Sequence, residues 1–361
     1  MGPLAITCVV GARPNFMKAA PLLSEFRRRP RFRPLLVHTG QHFSPEMSAS
    51  FFADLEMPQP DVNLEVGSGS HARQTAEIMM RLEPVFLERR PDAVVVVGDV
   101  NSTVAAALVA AKLGIPVAHV EAGLRSFDRR MPEEINRIVT DSLSDFLFVT
   151  EESGLRNLAA EGVPREKVFF TGNVMIDTLL RFREKARESN VLDRIGVEAG
   201  SYAVVTLHRP SNVDDAERLA ALLAMLAELS RRLPVVFPVH PRTRARMEQF
   251  AAADGRLLLT GPLPYLDFLR LVTDARIVLT DSGGIQEETT VLGVPCLTLR
   301  ENTERPVTVE QGTNRLVGTD PARAMQAAAE VLDTPPRRKP APELWDGHAS
   351  ERIADVLERS L

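Results

Sequence analysis

Short, Val-rich apolar runs alternate with longer amphipathic stretches along the chain, and this alternation limits the fold more than any other feature. In the first half the runs are 4–10, 34–39, 93–97, 116–120, 146–150 and 168–172. They are continuously apolar, which is typical of parallel strands buried on both faces. The pattern restarts with runs at 202–208, 234–240, 256–260, 276–281 and 294–300. Such strand–helix alternation predicts an α/β protein with right-handed crossovers and doubly wound sheets.

The interruption between the two series of runs predicts two Rossmann-like domains in tandem. We expect the first at 1–172 and the second at 173–346, with a C-terminal helix at 347–361 packing back on the first. A chain of 361 residues fits this division, since a domain averages roughly 150 residues. The Pro-rich segment 334–343 cannot be helical throughout. Ligands of open α/β sheets bind beyond the carboxyl ends of the strands, so two facing domains predict a site in an interdomain cleft.

Composition and charge argue against several classes of protein. The chain has 43 Lys and Arg against 48 Asp and Glu, a net charge of −5, which argues against a general nucleic-acid binder. No apolar stretch reaches the ~18 residues of a membrane span, and the N-terminus is a poor signal peptide, so we expect a cytoplasmic protein. Cys8 and Cys296 lie in apolar runs and are expected to be buried free thiols. No Cys/His spacing suited to zinc occurs, and no metal site is expected.

Polar residues follow the predicted strands of the first half. Arg13 and Lys18 come after the first strand, in a glycine-led loop that opens a helix. A loop of this kind binds anions or is a plain turn, and the guanidinium of Arg13 suits a phosphate. Asp99 follows the run 93–97 and is either a functional acid or a helix N-cap.

Two further acids in the first half are candidates for chemistry. Glu121 directly follows the run 116–120, where a buried acid is costly unless it has a partner or a chemical role. Glu133 follows Pro132, and acids at that position also stabilise a helix N-terminus. The pattern leaves the structural and the functional interpretation of Glu133 open.

The second half has its own strand-end residues. His208 and His240 each end a predicted strand, beside a turn that contains arginine and proline. Each is either a group that transfers protons or binds phosphate, or a histidine buried in the core. The run 280–288 passes from a strand through Ser-Gly-Gly into a helix, which favours a diphosphate at the helix N-terminus. Glu288 lies one turn into that helix and suits ribose hydroxyls, while Arg305 is a second phosphate contact or a surface charge.

Acids and a histidine opposite an apparent diphosphate site suggest a nucleotide-sugar enzyme. Motifs for phosphoryl transfer, zinc hydrolysis and serine hydrolysis are absent from the sequence. The motifs present resemble those of the non-hydrolysing UDP-N-acetylglucosamine 2-epimerases, in the same order and spacing. They are GARPNFMK (11–18), VGDVNST (97–103), HVEAGLRS (119–126), MPEEINR (131–137), TGNVMIDTL (171–179), PVHPRTR (238–244), LTDSGGIQEE (279–288) and NTERPVTVEQGTNRLVG (302–318).

The resemblance implies a GT-B-like arrangement of the two domains, with UDP held mainly by the second. It implies interconversion of UDP-N-acetylglucosamine and UDP-N-acetylmannosamine. In the proposed route of the family, loss of the C2 proton and expulsion of UDP give 2-acetamidoglucal. UDP then returns to C1 while C2 is reprotonated on the opposite face, which requires acids or bases on both sides of the ring. No cofactor is implied, and the family suggests a homodimer.

The resemblance also assigns candidate site residues. The catalytic candidates are Asp99, Glu121, Glu133 and His208. The candidates for binding substrate and UDP are Arg13, Lys18, Arg137, Phe268, Ser282, Gly283, Gly284 and Glu288. Bacterial members bind a second UDP-sugar as activator, and the residues that match parts of that pocket are Gln41, His42, Arg73, Gln74 and His240. Its motif Q-H-x-Q ends in Ser44 in this chain, so we expect weak or absent activation.

Departures from the family pattern surround the sugar and leave the UDP motifs intact. In this chain the common GTRPE is GARPN, the common GDTTTT is GDVNST, and the common HRRE is HRPS. The substrate is therefore either UDP-N-acetylglucosamine or a modified UDP-2-acetamido sugar, such as a uronate or one with a further amino group. A hydrolysing relative, a GT-B glycosyltransferase and a catalytically silent UDP-sugar sensor are the competing interpretations.

Overall fold

The structure, a computed structural model, describes residues 2–41, 52–239, 241–247, 256–334 and 339–361. The chain divides into two compact units. The N-terminal unit comprises Met1–Arg181 with Glu343–Leu361, and the C-terminal unit comprises Phe182–Pro342. The sequence placed the boundary at 172/173, whereas the division falls nine residues later.

The N-terminal unit is built on a parallel sheet, with seven strands among the described residues. They are β1 (Leu4–Val10), β2 (Phe32–His38), β3 (Val62–Asn63), β4 (Ala93–Val97), β5 (Val117–Ala122), β6 (Phe146–Val149) and β7 (Val168–Phe170). Their order across the sheet is β3-β2-β1-β4-β5-β6-β7. The order in which strands are added thus reverses between β1 and β4, and the carboxyl ends of these two parallel strands border the switch point at which ligands bind in such sheets.

Helices connect these strands. They are α1 (Arg13–Arg28), α2 (His71–Arg89), α3 (Asn101–Lys112), α4 (Pro132–Leu143), α5 (Glu152–Ala160) and α6 (Val174–Ala186), with a 3-10 turn at Arg165–Lys167. Helix α6 contains the division between the units. The Ala-rich face of α3 packs against Val94 and Val96 of β4 in the hydrophobic core of this unit. Small side chains allow the helix to approach the sheet closely, which explains the run of alanines.

The C-terminal unit has a second parallel sheet, with six strands among the described residues. They are β8 (Ala203–Thr206), β9 (Val235–Pro238), β10 (Leu257–Thr260), β11 (Ile277–Thr280), β12 (Cys296–Thr298) and β13 (Asn314–Leu316). The order is β10-β9-β8-β11-β12-β13, so the switch point lies between β8 and β11. The prediction of two Rossmann-like parallel sheets is therefore confirmed.

The helices of the C-terminal unit follow the same alternation. They are α7 (Val191–Ile195), α8 (Pro210–Val213), α9 (Ala216–Ser230), α10 (Pro241–Met247), α11 (Tyr265–Thr273), α12 (Gly283–Leu292), α13 (Val307–Glu310) and α14 (Pro321–Asp333). Helix α14 ends just before the Pro-rich segment, whose described part, 339–343, is not helical. Its alanines pack with leucines of α9 in one core cluster.

The last helix, α15 (Ala349–Ser360), belongs to the N-terminal unit. The buried carboxylate of Asp177, on α6, accepts hydrogen bonds from the backbone N–H groups of Ala349 and Ser350. It therefore caps α15 from a distant part of the sequence, satisfying amides that a helix start leaves unpaired. Further along the helix, Arg29 pairs with Asp355 of α15 at 2.6 Å.

Sequence and structure differ mainly at short strands and strand ends. Strands β3 and β13 were not predicted, because they have only two and three residues and too little apolar pattern to recognise. Strands β8 and β9 of the C-terminal unit each end two residues before the predicted limits at 208 and 240. The extra residues lie in the loops that carry the candidate site.

Cys8 and Cys296 are buried free thiols, and burial raises the pKa of each to about 12.

Candidate functional site

Helix α1 begins at the switch point of the N-terminal unit, directly after β1. The side-chain oxygen of Asn15 accepts hydrogen bonds from the backbone N–H groups of Gly11 and Ala12. Its amide donates to the carbonyl of Val97 at the end of β4, at 2.9 Å. Asn15 stands where the family commonly has Glu, and it ties together the ends of the two strands. Burial lowers the pKa of Arg13, the first residue of the helix. An N-terminal turn with this guanidinium suits an anion.

Glu121 lies in a β-bulge at the end of β5. The register of β5 against β6 shifts between Val120 and Ala122, and Glu121 has a φ of 79°, a left-handed value rare for residues other than glycine. Bulges and strained residues of this kind aim side chains at functional sites. The buried ammonium of Lys18 forms an ion pair with the Glu121 carboxylate. Lys18 thus contacts a second candidate residue directly.

The backbone of Gly98 lies beside this ion pair. A Cβ on Gly98 would come within 3.0 Å of the Lys18 ammonium and 3.3 Å of the Glu121 carboxylate, and its φ is +67°. A side chain at this position would be strained by the backbone conformation, and its Cβ would press on both members of the ion pair. Asp99 follows and is half-buried.

Arg137, buried on α4, joins two carboxylates. One guanidinium nitrogen lies 2.5 Å from Asp99 Oδ2 and another lies 2.7 Å from Glu134 Oε2. Asp99 is therefore not the helix N-cap: Val100 occupies that position in α3. Glu134 also accepts hydrogen bonds from the backbone N–H groups of Ser126 and Phe127. Burial raises the pKa of Glu134, but the hydrogen bond from Ser126 and the charge of Arg137 outweigh it and hold the pKa below its usual range.

The two acids of the PEE motif are thereby distinguished. Glu134 is buried and its oxygens are engaged in holding the loop before α4, whereas Glu133 is half-buried. Glu133 lies in the first turn of α4, where a carboxylate interacts favourably with the helix dipole.

A buried network that the sequence analysis did not identify supports these loops. His119 on β5 lies 2.6 Å from Asp141 Oδ1 through Nδ1 and 2.9 Å from the Gly98 carbonyl through Nε2. Arg125 pairs with the other oxygen of Asp141 at 2.7 Å and with Glu161. Burial raises the pKa of Asp141, but His119 and Arg125 outweigh this and lower it. A histidine inside a buried strand was the available signal, since such a side chain requires partners.

Two of the candidate activator residues lie in a second buried network. The Gln41 side-chain oxygen accepts hydrogen bonds from the backbone N–H and the hydroxyl of Ser102, at 3.0 and 2.7 Å. Gln74 donates to the Gln41 carbonyl and accepts from Asn101. These contacts fix the start of α3. Arg73 is exposed on α2. His42 and His240 lie outside the described residues.

His208 lies just after β8, at the switch point of the C-terminal unit. Its Nδ1 is 2.7 Å from Oδ1 of Asp281, the residue that follows the neighbouring strand β11. The His208 side chain is 59% exposed, whereas that of Asp281 is fully buried. Asp281 was not assigned a role from the sequence. An acid that ends a buried strand was the signal, by the argument already applied to Glu121.

The Ser-Gly-Gly turn begins α12 as the spacing predicts. Ser282 is the N-cap residue, its side chain makes no capping hydrogen bond, and Gly283 and Gly284 form the first turn. The guanidinium of Arg305 lies against this turn, because a Cβ on Gly283 would be 2.4 Å from its Nη1. Arg305 is buried and pairs with Glu287 and Glu304, so it is not a surface charge. Helix amides and a guanidinium together suit a diphosphate.

Glu288 is buried one turn into α12. Burial, together with the neighbouring charge of Glu287, raises its pKa from the ordinary 4.5 to about 8. Burial and the charge of Glu288 likewise raise the pKa of Tyr265 on α11. Phe268, one turn further along α11, is half-buried. At neutral pH, the Glu288 carboxyl is therefore mostly protonated and able to donate as well as accept hydrogen bonds.

Each unit thus offers a different chemistry at its switch point. The N-terminal unit groups carboxylates with cations, which suits proton transfer at a sugar ring. The C-terminal unit combines a helix N-terminus, a buried guanidinium and a buried carboxyl, which suits a diphosphate and hydroxyl groups.

No group of three His, Cys, Asp or Glu side chains that could hold a metal ion occurs among the described residues. Within the same residues, every helix is too short or too polar to cross a membrane.

Comparison with known proteins gives consistent results. The sequence model of the UDP-N-acetylglucosamine 2-epimerase family matches residues 24–358. A protein of Methanocaldococcus jannaschii named UDP-N-acetylglucosamine 2-epimerase is 40% identical, over 98% of this chain and 99% of its own. The crystal structure of the enzyme from that organism in complex with UDP-GlcNAc and UDP superposes with a TM-score of 0.92, covering 99% and 100% of the two chains.

A relative with a different named substrate is equally similar. The UDP-2,3-diacetamido-2,3-dideoxy-D-glucuronate 2-epimerase of Pseudomonas aeruginosa is also 40% identical, over 99% of this chain and all of its own. Sequence identity therefore does not distinguish the two sugars.

Proposed function

The chain belongs to the UDP-N-acetylglucosamine 2-epimerase family, and we propose that it interconverts UDP-N-acetylglucosamine and UDP-N-acetylmannosamine without net hydrolysis. The observation that carries this proposal is the bulged, ion-paired Glu121 beside Gly98. A C2 proton is weakly acidic, so its removal requires a fixed base, and strained backbone at a strand end provides such a position.

The proposed reaction has two balanced halves. A base takes the C2 proton while the C1–O bond breaks with its electron pair, releasing UDP and forming 2-acetamidoglucal. UDP oxygen then attacks C1, and an acid returns a proton to C2 on the opposite face. Asp99, Glu121, Glu133 and His208 are the proposed acids and bases, and retention of the glucal keeps the reaction from becoming hydrolysis.

The C-terminal unit is proposed to bind UDP. The first-turn amides of Gly283 and Gly284 and the hydroxyl of the N-cap Ser282 would hydrogen-bond the diphosphate, with the dipole of α12 favouring its charge. The protonated Glu288 carboxyl would contact ribose hydroxyls, and Phe268 would lie near the uracil.

The basic residues of the N-terminal unit are also given proposed roles. Arg13 would contact the diphosphate, while Lys18 and Arg137 would hold the carboxylates of Glu121 and Asp99. The sequence assigned Lys18 to substrate or diphosphate binding, whereas its buried ion pair supports a role in holding Glu121. The diphosphate charge is met without a metal ion, so a chelator should leave the rate unchanged, and a magnesium-dependent rate would contradict this.

The second candidate function is epimerisation of a modified UDP-2-acetamido sugar. The similarity to the P. aeruginosa enzyme favours it, as do the departures from the family pattern at Ala12, Asn15 and Ser211. A hydrolysing 2-epimerase that releases N-acetylmannosamine and UDP is the remaining alternative.

One experiment separates these functions. The protein is incubated with UDP-N-acetylglucosamine in deuterated water without added metal, and the reaction is followed by proton NMR. UDP-N-acetylmannosamine with deuterium at C2 is the expected product. Free N-acetylmannosamine with UDP would support hydrolysis. No turnover of this sugar, with turnover of UDP-2,3-diacetamido-2,3-dideoxyglucuronate, would support the modified sugar. Binding of both UDP-sugars without turnover would favour a sensor.

We also propose a cytoplasmic homodimer. The dimer is implied by the family, and Met80 and Leu87 on α2 expose apolar surface that fits a contact between subunits. Light scattering after size-exclusion chromatography tests it, and a mass near 39.8 kDa would contradict it.

A further inference from the structure

Asp281 receives several hydrogen bonds from one loop of the C-terminal unit. Oδ2 accepts from the backbone N–H of Arg209 and from the amide of Asn212, both at 3.0 Å. The backbone N–H of His208 lies 3.1 Å from both oxygens. Oδ1 lies 2.7 Å from His208 Nδ1. Burial raises the pKa of Asp281, but His208 and the other donors outweigh it and hold it below the usual range.

An ionised carboxylate only accepts hydrogen bonds, so the nitrogen facing it has to carry a hydrogen. The neutral His208 ring is therefore held as the tautomer with its proton on Nδ1. Its Nε2 is then the nitrogen that accepts a proton, on a side chain that is 59% exposed. The carboxylate also fixes the ring orientation and stabilises the imidazolium that forms when Nε2 takes a proton.

We infer that Asp281 is a positioning residue for proton transfer by His208. It sets the tautomer and orientation of the imidazole and makes Nε2 the reactive nitrogen. This inference rests on the proposed epimerase function for its catalytic consequence, whereas the tautomer itself is a property of the free protein.

The substitution Asp281→Asn tests the tautomer of His208 without removing the side chain at position 281. The Oδ2 side of the carboxylate faces donors from Arg209 and Asn212, so the single oxygen of an asparagine is best placed there. Its NH₂ group then faces His208 Nδ1 and turns that nitrogen into an acceptor. The proton moves to Nε2, which removes the acceptor that catalysis needs, while the shape of the side chain is kept.

The first measurement uses nitrogen NMR of protein with ¹⁵N-labelled histidine, at a pH where the ring is neutral. Subtracting the spectrum of His208→Gln assigns the signals of His208 among the seven histidines. We expect Nδ1–H in the wild type and Nε2–H in Asp281→Asn. A wild-type ring protonated on Nε2 would overturn the inference, and this readout requires no variant of Asp281 that folds.

The second measurement is kinetic. In Asp281→Asn, kcat should fall about 10²- to 10⁴-fold, while the Kd of UDP changes by less than about threefold. In the His208→Gln background the same substitution should change kcat by less than about twofold, because the residue it positions is gone. An equal loss in both backgrounds would place the effect of Asp281 elsewhere and overturn the inference, as would full activity in the single variant.

Asp320→Asn is the matched control. Asp320 caps α14 in the same unit by accepting from the N–H of Ala322, and asparagine caps helices equally well. It should leave kcat and the His208 signals unchanged. If the wild type lacks epimerase activity, the proposed function fails while the NMR result still decides the Asp281–His208 pairing.

Discussion

Two buried glutamates, one in each unit, show how the same side chain is prepared for different tasks. Glu121 in the N-terminal unit is paired with the ammonium of Lys18. Glu288 in the C-terminal unit has a second acid, Glu287, as its charged neighbour, and its pKa rises to about 8. A neighbouring cation favours the charged form of a carboxyl group, whereas burial beside an anion favours the neutral form. The first arrangement prepares a base, and the second prepares a neutral group suited to hydroxyls.

The two units also differ in how they present charge. The N-terminal unit neutralises its carboxylates internally, through Lys18 and Arg137. The C-terminal unit presents helix amides and the guanidinium of Arg305, which is itself held by Glu287 and Glu304. Substitutions of the paired carboxylates in the first unit should therefore reduce chemistry, and substitutions around the first turn of α12 should reduce affinity for UDP.

The largest effect is expected for Glu121→Gln. Loss of a positioned base should lower kcat and the C2 exchange rate in deuterated water about 10³-fold, within the usual range for acid–base catalysis. The Kd of UDP, measured by calorimetry, should stay within about threefold of wild type. An exchange rate close to wild type would show that Glu121 transfers no proton.

This variant also needs a measurement of stability. Replacing the carboxylate by an amide leaves the buried Lys18 ammonium without a charged partner, and breaking a buried ion pair typically costs about 3–5 kcal/mol of unfolding free energy. Fluorescence of Trp345, the sole tryptophan and a buried residue of the N-terminal unit, reports that loss. Glu88→Gln, an exposed residue of the same unit, serves as the control.

The next largest effect is expected for Gly283→Ala, on binding rather than chemistry. Its Cβ would lie 2.4 Å from Arg305 Nη1 and 2.8 Å from Glu304 Oε1, so the guanidinium would have to move. The affinity for UDP should fall about 10- to 100-fold, which corresponds to about 1.4–2.8 kcal/mol. Gly261→Ala is the matched control, because a Cβ there meets nothing within 4 Å. Equal affinities of both variants for UDP would show that Arg305 does not contribute to a diphosphate site.

The variant Glu288→Gln tests the raised pKa through the pH dependence of the unfolding free energy. The pKa is about 8 in the folded protein and near the ordinary 4.5 when unfolded, so the folded state binds more protons between these values. Wild-type stability should therefore fall as pH rises from about 4.5 through about 8, relative to the glutamine variant. Both tyrosines, Tyr202 and Tyr265, belong to the C-terminal unit, so their near-UV signal follows its unfolding. Parallel profiles for wild type and variant would contradict the raised pKa.

The smallest effect is expected for Gln41→Ala. The substitution removes the acceptor for the Ser102 N–H and hydroxyl and should cost about 1–3 kcal/mol of unfolding free energy, followed by Trp345 fluorescence. The rate should stay hyperbolic in UDP-N-acetylglucosamine concentration in wild type and variant. A sigmoidal wild-type curve that the substitution abolishes would instead support the activator role. Gln59→Ala, exposed in the same unit, is the control.

The sequence predicted the elements around the site better than the contacts within it. Strands such as β4 at 93–97 were located because buried parallel strands are continuously apolar. The turn at Ser282 and the helix after it followed from local backbone chemistry. Family resemblance then selected the catalytic candidates, whose roles remain predictions.

Several contacts had no local signal. Asn15 stands where the family commonly has a glutamate, so the sequence suggests only that an acid is missing. Its side chain accepts hydrogen bonds from two backbone amides and donates one to the carbonyl of Val97, 82 residues further along the chain. Asp177 caps α15 across more than 170 residues. Gln41 matched an activator pocket, but its side chain holds the start of α3. Such partners are separated by whole helices and strands, so spacing along the chain carries no record of them.

The sequence by itself determined the two parallel sheets, since alternating buried strands and amphipathic helices have few other ways to cover their apolar faces. It also determined that polar groups end those strands. Only the tertiary structure decided the chemical state of each group. Glu121 and Glu288 are the same residue type at buried positions, but Glu121 pairs with Lys18, whereas burial and then the charge of Glu287 raise the pKa of Glu288. Burial and distance set that interaction, and both exist only once the sheet brings distant residues together.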